Sequence, residues 1–257
     1  MTTTADLPAW AQARTDLTGK TALVIGGAGG VGEGITRQLL AAGATVIATA
    51  RAKSKLDDLA SRVDHPKLRT HALDLADPDL TGIVADLARE HGGLDGAVVS
   101  VADWGPQGPK GILDLADDEW DYLVEHNLTS VFRAFRALVP ALGRTGALVH
   151  INGYSAEIPW PKHAALAVGS AATKSLARTL AAEAGPAGPR IHDLILGVIS
   201  TRPKRMAGID HPGWIPADEV GLHVAELIAG TSPFSGEVIQ YFAQREVGPT
   251  TVKPEIG

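Results

Sequence analysis

The chain has 257 residues, 45% of them hydrophobic and 20% charged, with a formal net charge of -6 and no cysteine. That length suffices for one large α/β unit with a buried core, the acidic balance argues against a nucleic-acid footprint, and the absence of cysteine excludes disulfides, thiolate metal sites and thiol catalysis. The opening MTTTADLPAWAQARTDLTGK is polar and broken by Pro8, without the apolar core of a secretory signal, and no run reaches membrane-spanning length. The expectation is therefore a cytoplasmic protein with a small-molecule substrate and no nucleic-acid, membrane or metal partner.

In chain order, the short apolar runs TALVIG (21–26), ATVIAT (44–49), LRTHAL (68–73), DGAVVS (95–100), GALVHI (146–151), RIHDLIL (190–196) and GEVIQYF (236–242) read as buried strands. Between them lie helical patterns at 31–43, 53–63, 80–92, 118–142 and 163–185. This alternation predicts right-handed crossovers and a single Rossmann-like, doubly wound α/β domain. Its parallel sheet would have about seven strands, with helices on both faces. Residues 1–16 read as an N-terminal extension and 243–257 as a C-terminal tail, with Pro/Gly-rich loops at 103–111 and 202–216.

The first predicted strand runs into GGAGGVGEG, where Gly26, Gly30 and Gly32 precede a helix. Glycines allow a tight turn and close approach to a pyrophosphate, and the helix N-terminus offers unpaired N–H groups to it. The second strand ends in Ala50 and Arg51, where a carboxylate would suit the ribose 2′-hydroxyl of NAD(H). A cation there suits a 2′-phosphate, so the expected cofactor is NADP(H). Lys53 and Lys55 stand beside it, and a merely solvated arginine is the competing reading.

From about Leu17 to Phe242 the chain resembles the short-chain dehydrogenases/reductases, on the glycine pattern at 26–32, Asp74-Leu75, Asn127 in EHNLTSVF, Lys174 and RIHDLILGVIST (190–201), all in the family's order. The resemblance implies that Asp74 contacts adenine, that Lys174 holds the nicotinamide ribose and that Asn127 helps to hold a proton-relay water. It also implies a homodimer or homotetramer, built on helices at 119–139 and 164–184.

The departures cluster on the nicotinamide side. Ser170 stands where the family has tyrosine, four residues before its lysine; Gly153 stands at the family's serine; and Ile25, Val99-Ser100-Val101-Ala102 and Leu196-Gly197 replace other usual residues. A family tyrosine protonates the carbonyl oxygen as hydride arrives, acidified by the neighbouring ammonium. Ser170 shares a helix face with Lys174, but it is shorter and a far weaker acid, and Gly153 provides no hydroxyl to stabilise developing charge.

Three readings follow. The chain is an NADPH-dependent oxidoreductase with another proton source, or with an iminium or activated-enone substrate that needs less acid. Alternatively it is a non-redox enzyme on the same scaffold, or a catalytically silent subunit. Tyr154 is the nearest substitute acid, with packing in its loop as the competing role; His150 and His163 are weaker candidates. Trp104, Trp160 and Trp214 would rim a pocket for a bulky apolar or aromatic ligand, or anchor their own loops. Arg202, Lys204 and Arg205 fall on the family's lid, where they would meet solvent or an anionic substrate.

Overall fold

The computed structural model describes residues 7–11 and 15–255; most of the expected N-terminal extension lies outside these. The strands β1 (Thr21–Ile25), β2 (Thr45–Ala50), β3 (Leu68–Ala72), β4 (Leu94–Val99), β5 (Leu142–Gly153), β6 (Arg190–Leu196) and β9 (Ile239–Phe242) form one sheet, ordered β3-β2-β1-β4-β5-β6-β9. Every pairing in it is parallel. A parallel sheet needs both faces covered, and alternation within β1 serves this: Ala22 and Val24 enter the core beneath α1 (Gly30–Ala41) and α8 (Ala217–Ala229), whereas Leu23 and Ile25 face α3 (Leu80–Glu90), α5 (Ser130–Ala141) and α6 (Ala164–Ala184). Strand order reverses between β1 and β4, so the crevice at their carboxyl ends lies where such sheets bind ligands.

Four parts of the chain depart from the sequence reading. The reading does not include α8, which packs closely along α1: a Cβ on Gly34 would lie 2.4 Å from the carbonyl carbon of Ala217. The helix expected over 118–142 is divided into α4 (Asp117–Val124), a π-helical turn at Glu125–Thr129, and α5. The segment 202–216 is ordered as α7 (Arg202–Met206) and β8 (Ile215–Pro216), with β8 paired to the short β7 (Ile199–Ser200). Between α1 and β3, the helix α2 (Lys53–Val63) forms as expected. The strand at 68–72 is a half-exposed edge and not a buried strand.

At the start of β6, the buried His192 donates from Nδ1 to the Glu237 carbonyl at 2.8 Å, while its Nε2 has no partner. Burial lowers its pKa from 6.5 to about 4, aided by Arg190 and His223 and opposed by the bond to Glu237. Below pH 6.5 the unfolded chain binds a proton that the folded chain refuses, so stability falls as pH drops and levels off near 4. The shift corresponds to about 3 kcal/mol. Denaturant melts of wild type and His192→Gln across this range should show a shallower acid limb in the variant. Parallel acid limbs would remove His192 from this role.

Candidate functional site

The turn after β1 is built from close contacts that leave little or no space for a side chain. Gly26 has φ 78°, and a Cβ on it would lie 2.1 Å from the Ser100 carbonyl oxygen, at the end of β4. A Cβ on Gly32 would lie 2.1 Å from the Gly26 carbonyl oxygen, and one on Gly30 would lie 2.9 Å from the Thr201 methyl. The helix N-cap, Gly29, provides no side-chain cap, so the amino end of α1 remains available to an anion. Next to it, Glu33 is buried and paired with Arg62 at 2.8 Å, Arg37 at 3.1 Å and Arg202 at 3.6 Å. Burial works to raise its pKa, but hydrogen bonds from Arg62 and Arg37 outweigh burial and hold the carboxyl below its ordinary range.

Arg51 leaves the end of β2 with its side chain exposed and contacts Asp103 Oδ2 through Nη2 at 3.1 Å. Lys53 is paired with Asp57 at 2.7 Å, and Lys55 is exposed. The exposed Asp74 follows β3 and accepts the Ala76 N–H at 2.9 Å. Asp103 also accepts from Tyr122 Oη at 3.2 Å and from the Gly105 N–H at 2.9 Å. Burial opposes ionisation of Asp103, yet the Gly105, Arg51 and Tyr122 hydrogen bonds leave its pKa lowered. Asn127, buried in the π-helical turn, clasps the same loop by donating to the Asp103 carbonyl at 2.8 Å and accepting the Asp103 N–H at 2.9 Å. Its amide also donates to the Leu123 carbonyl at 2.9 Å, satisfying backbone where the helix widens.

The other half of the site lies where α6 crosses β5. Asp193, fully buried on β6, meets His150 Nδ1 at 2.6 Å and accepts from Asn152 Nδ2 at 3.2 Å. The same amide donates to the Ser170 carbonyl at 3.0 Å, which ties α6 to the sheet. His150 is thus a core residue. Ser155 Oγ donates to Ser170 Oγ at 3.1 Å and would lie 3.4 Å from a Cβ on Gly153. A hydroxyl therefore stands close to the place left by Gly153, delivered from two residues further along.

Lys174, one turn beyond Ser170, forms an ion pair with the half-buried Glu157, whose Oε1 also accepts from Tyr241 Oη at 3.3 Å. The ammonium lies 6.0 Å from the centre of the Tyr241 ring, and Lys253 is 3.7 Å from the other Glu157 oxygen. Burial would depress the Lys174 pKa, but Glu157 and Tyr241 leave it raised. Tyr154 is buried and donates its phenol hydrogen to the Pro254 carbonyl. Burial, then Glu157 and Tyr241, raises its pKa and makes it a poorer acid. The tail itself is held by reciprocal backbone bonds of 2.8 Å between Tyr241 and Thr250.

Trp104, Trp160 and His163 form one aromatic group, with ring centres 5.2 to 5.3 Å apart. Trp214 does not join it: its ring lies under Lys204 at 4.9 Å, in the segment between α7 and β8. The cations of α7 have partners within the fold. Arg202 faces Glu33 and Asp58 at 3.6 Å, Lys204 donates to the Ile199 carbonyl at 2.9 Å, and Arg205 donates to Ser200 Oγ at 3.2 Å. Among the described residues no group of acidic or histidine side chains could hold a metal ion, and no helix is long and apolar enough to cross a membrane.

Sequence reasoning singled out Ser170, Lys174, Tyr154 and Asn127, and the fold brings Ser170 beside Ser155 and Lys174 beside Glu157. It missed Ser155, Glu157, Asp103 and Tyr241. The first two follow Gly153 closely enough to have been considered; Asp103 and Tyr241 arrive from distant loops and strands without a local signal. The Tyr154 geometry is testable. Tyr154→Phe should speed amide exchange at Thr250 and cost about 1 kcal/mol of stability, the usual net value of one hydrogen bond; unchanged exchange would mean that the phenol does not hold the tail.

A family model described as enoyl-(acyl carrier protein) reductase matches residues 26–215. The chain is 32% identical over 194 residues to a short chain dehydrogenase/reductase of Colletotrichum higginsianum, covering 72% of this chain and 71% of that one. It is 27% identical over 210 residues to the 3-oxoacyl-[acyl-carrier-protein] reductase of Salmonella typhimurium, covering 79% and 84%. A solved short chain dehydrogenase from Burkholderia cenocepacia, in complex with NADP, superimposes with a TM-score of 0.74 at 27% identity, covering 85% of this chain and 95% of that one.

Proposed function

The chain belongs to the short-chain dehydrogenase/reductase family, and from that membership we propose that it is an NADP(H)-dependent oxidoreductase whose substrate accepts hydride without a phenolic acid beside Lys174. The observation that carries the reading is the contrast between the two halves of the crevice. The residues on the adenosine side fit the cofactor: the close packing at Gly26, Gly30 and Gly32 makes the tight turn into α1, whose amino end has no side-chain cap and is available to a pyrophosphate, Arg51 is exposed for a 2′-phosphate, and Asp74 is exposed for adenine. When bound, the cofactor supplies or accepts hydride at its nicotinamide ring.

The chain's own residues do the rest. Asn127 fixes the loop that carries Asp103 and Trp104. Lys174 would hold the nicotinamide ribose, with its ammonium shared with Glu157. The Ser155 and Ser170 hydroxyls are the donors nearest to Gly153, and Tyr154 spends its proton on Pro254. Serine hydroxyls are weak acids, so the reading favours an imine, an iminium ion or an activated alkene over a simple ketone. Trp104 and Trp160, both substantially exposed, favour a bulky apolar or aromatic substrate.

A groove of about 450 Å³ between the π-helical turn, α5 and α6, bordered by Leu128, Phe132, Ala172 and Leu176, favours a homodimer or homotetramer. The engagement of Lys174 by Glu157 and of Tyr154 by Pro254 favours, as a second reading, a chain that binds nucleotide without redox turnover.

Titration of nicotinamide fluorescence, followed by hydride-transfer assays on ketones, imines and enones, separates the two. In the titration, Arg51→Ala should weaken NADPH binding about tenfold or more while leaving NADH nearly unchanged, because a hydrogen bond to a charged group contributes about 1.5–3 kcal/mol. An unchanged NADPH/NADH ratio would refute the 2′-phosphate assignment, and no NADPH binding at all would refute the oxidoreductase.

A further inference from the structure

We infer that Asp103 sets the nucleotide preference of this chain by competing with the cofactor's 2′-phosphate for Arg51, so that the protein accepts both NADH and NADPH. The inference rests on the nucleotide-binding reading above. Because β2 and β4 flank β1 in the sheet, a contact from the end of β2 to the loop after β4 crosses the carboxyl end of β1, where the glycine turn begins. The Arg51 to Asp103 ion pair makes that crossing at 3.1 Å.

Its two partners are unequally fixed. The Arg51 side chain is 60% exposed on a long stem, whereas that of Asp103 is 22% exposed. Besides Arg51, Asp103 is held through its carboxylate by Tyr122 Oη and the Gly105 N–H, and through its backbone by Asn127. When an anion arrives, the guanidinium is therefore the member that moves. Asp103 keeps its other hydrogen bonds and its negative charge, since those bonds also hold its pKa down.

A 2′-phosphate must then take Arg51 from a carboxylate that stays nearby and repels it. A ribose without the phosphate makes no such demand. It leaves the ion pair in place, and its 2′-hydroxyl can donate to an anchored carboxylate, as acidic residues at the end of β2 do in NAD(H) sites. Asp103 thus offers, from the other side of β1, the acceptor that Ala50 and Arg51 do not provide.

The test is calorimetric binding of NADPH, NADH, 2′,5′-ADP and 5′-AMP to wild type, Asp103→Asn and Asp103→Ser. Both substitutions remove the charge and retain an oxygen for the Gly105 N–H, so that if one fails to fold the other can be measured. In wild type, the two members of each pair should differ less than tenfold in affinity. Without the carboxylate, 2′,5′-ADP and NADPH should tighten at least threefold while 5′-AMP and NADH weaken or stay constant, and Arg51→Ala in the same background should abolish the gain. Nucleotide binding with an unchanged phosphate preference in a folded Asp103 variant would overturn the role of Asp103 alone. No nucleotide binding to wild type would overturn the oxidoreductase reading and this inference with it.

Discussion

The carboxyl group of Asp193 is fully buried, and the placement of the candidate chemistry depends on how it is satisfied. A buried carboxyl without partners would be strongly destabilising, and here it engages His150 and Asn152 on the neighbouring strand. Asn152 then uses its amide again, for the carbonyl of Ser170. This chain of contacts fixes α6 over the end of β5, so that residue 170 stands above residue 153 and Lys174 follows one turn later. The positions where the family resemblance implies a tyrosine and a serine are therefore brought together, and they carry Ser170 and Gly153.

The two halves of the crevice are built differently. The adenosine side is made largely of backbone: tight approaches at three glycines, an uncapped helix terminus, and a few exposed charges. The nicotinamide side is made of side chains, and here they are joined to one another. Glu157 takes the ammonium of Lys174, Tyr241 shares the same carboxylate, and the tail closes over them through Pro254 and Lys253. Reuse of the ammonium in this way requires a carboxylate within reach, and the segment from Gly153 to α6 provides one in Glu157.

Legibility of the chain follows the range of each interaction. Most of the strands were readable because buried β-branched runs carry their own signal, the half-exposed β3 being the exception, and the glycine turn was readable because its residues are local. Helix α8 was overlooked although it is among the most buried: its apolar run LHVAELIA is separated from the preceding Val220 by Gly221, which the packing against α1 requires. The widened turn around Asn127 has no pattern of its own. Tyr154 stood out in the sequence for its place beside Gly153, but its partner is 100 residues away, just as Glu157 and Tyr241 are separated by 84 and Arg51 and Asp103 by 52. Such contacts are decided by tertiary packing, which no local window contains.

The central claim is that the hydride-presenting scaffold persists while the proton donor has been lost. The most direct measurement is single-turnover oxidation of NADPH by simple ketones, in wild type and in the double variant Gly153→Ser, Ser170→Tyr. The account predicts little or no turnover in wild type and a gain of about 10²-fold or more in the variant, within the range of general acid catalysis. A wild-type protein that already reduces simple ketones as fast as the double variant would contradict it.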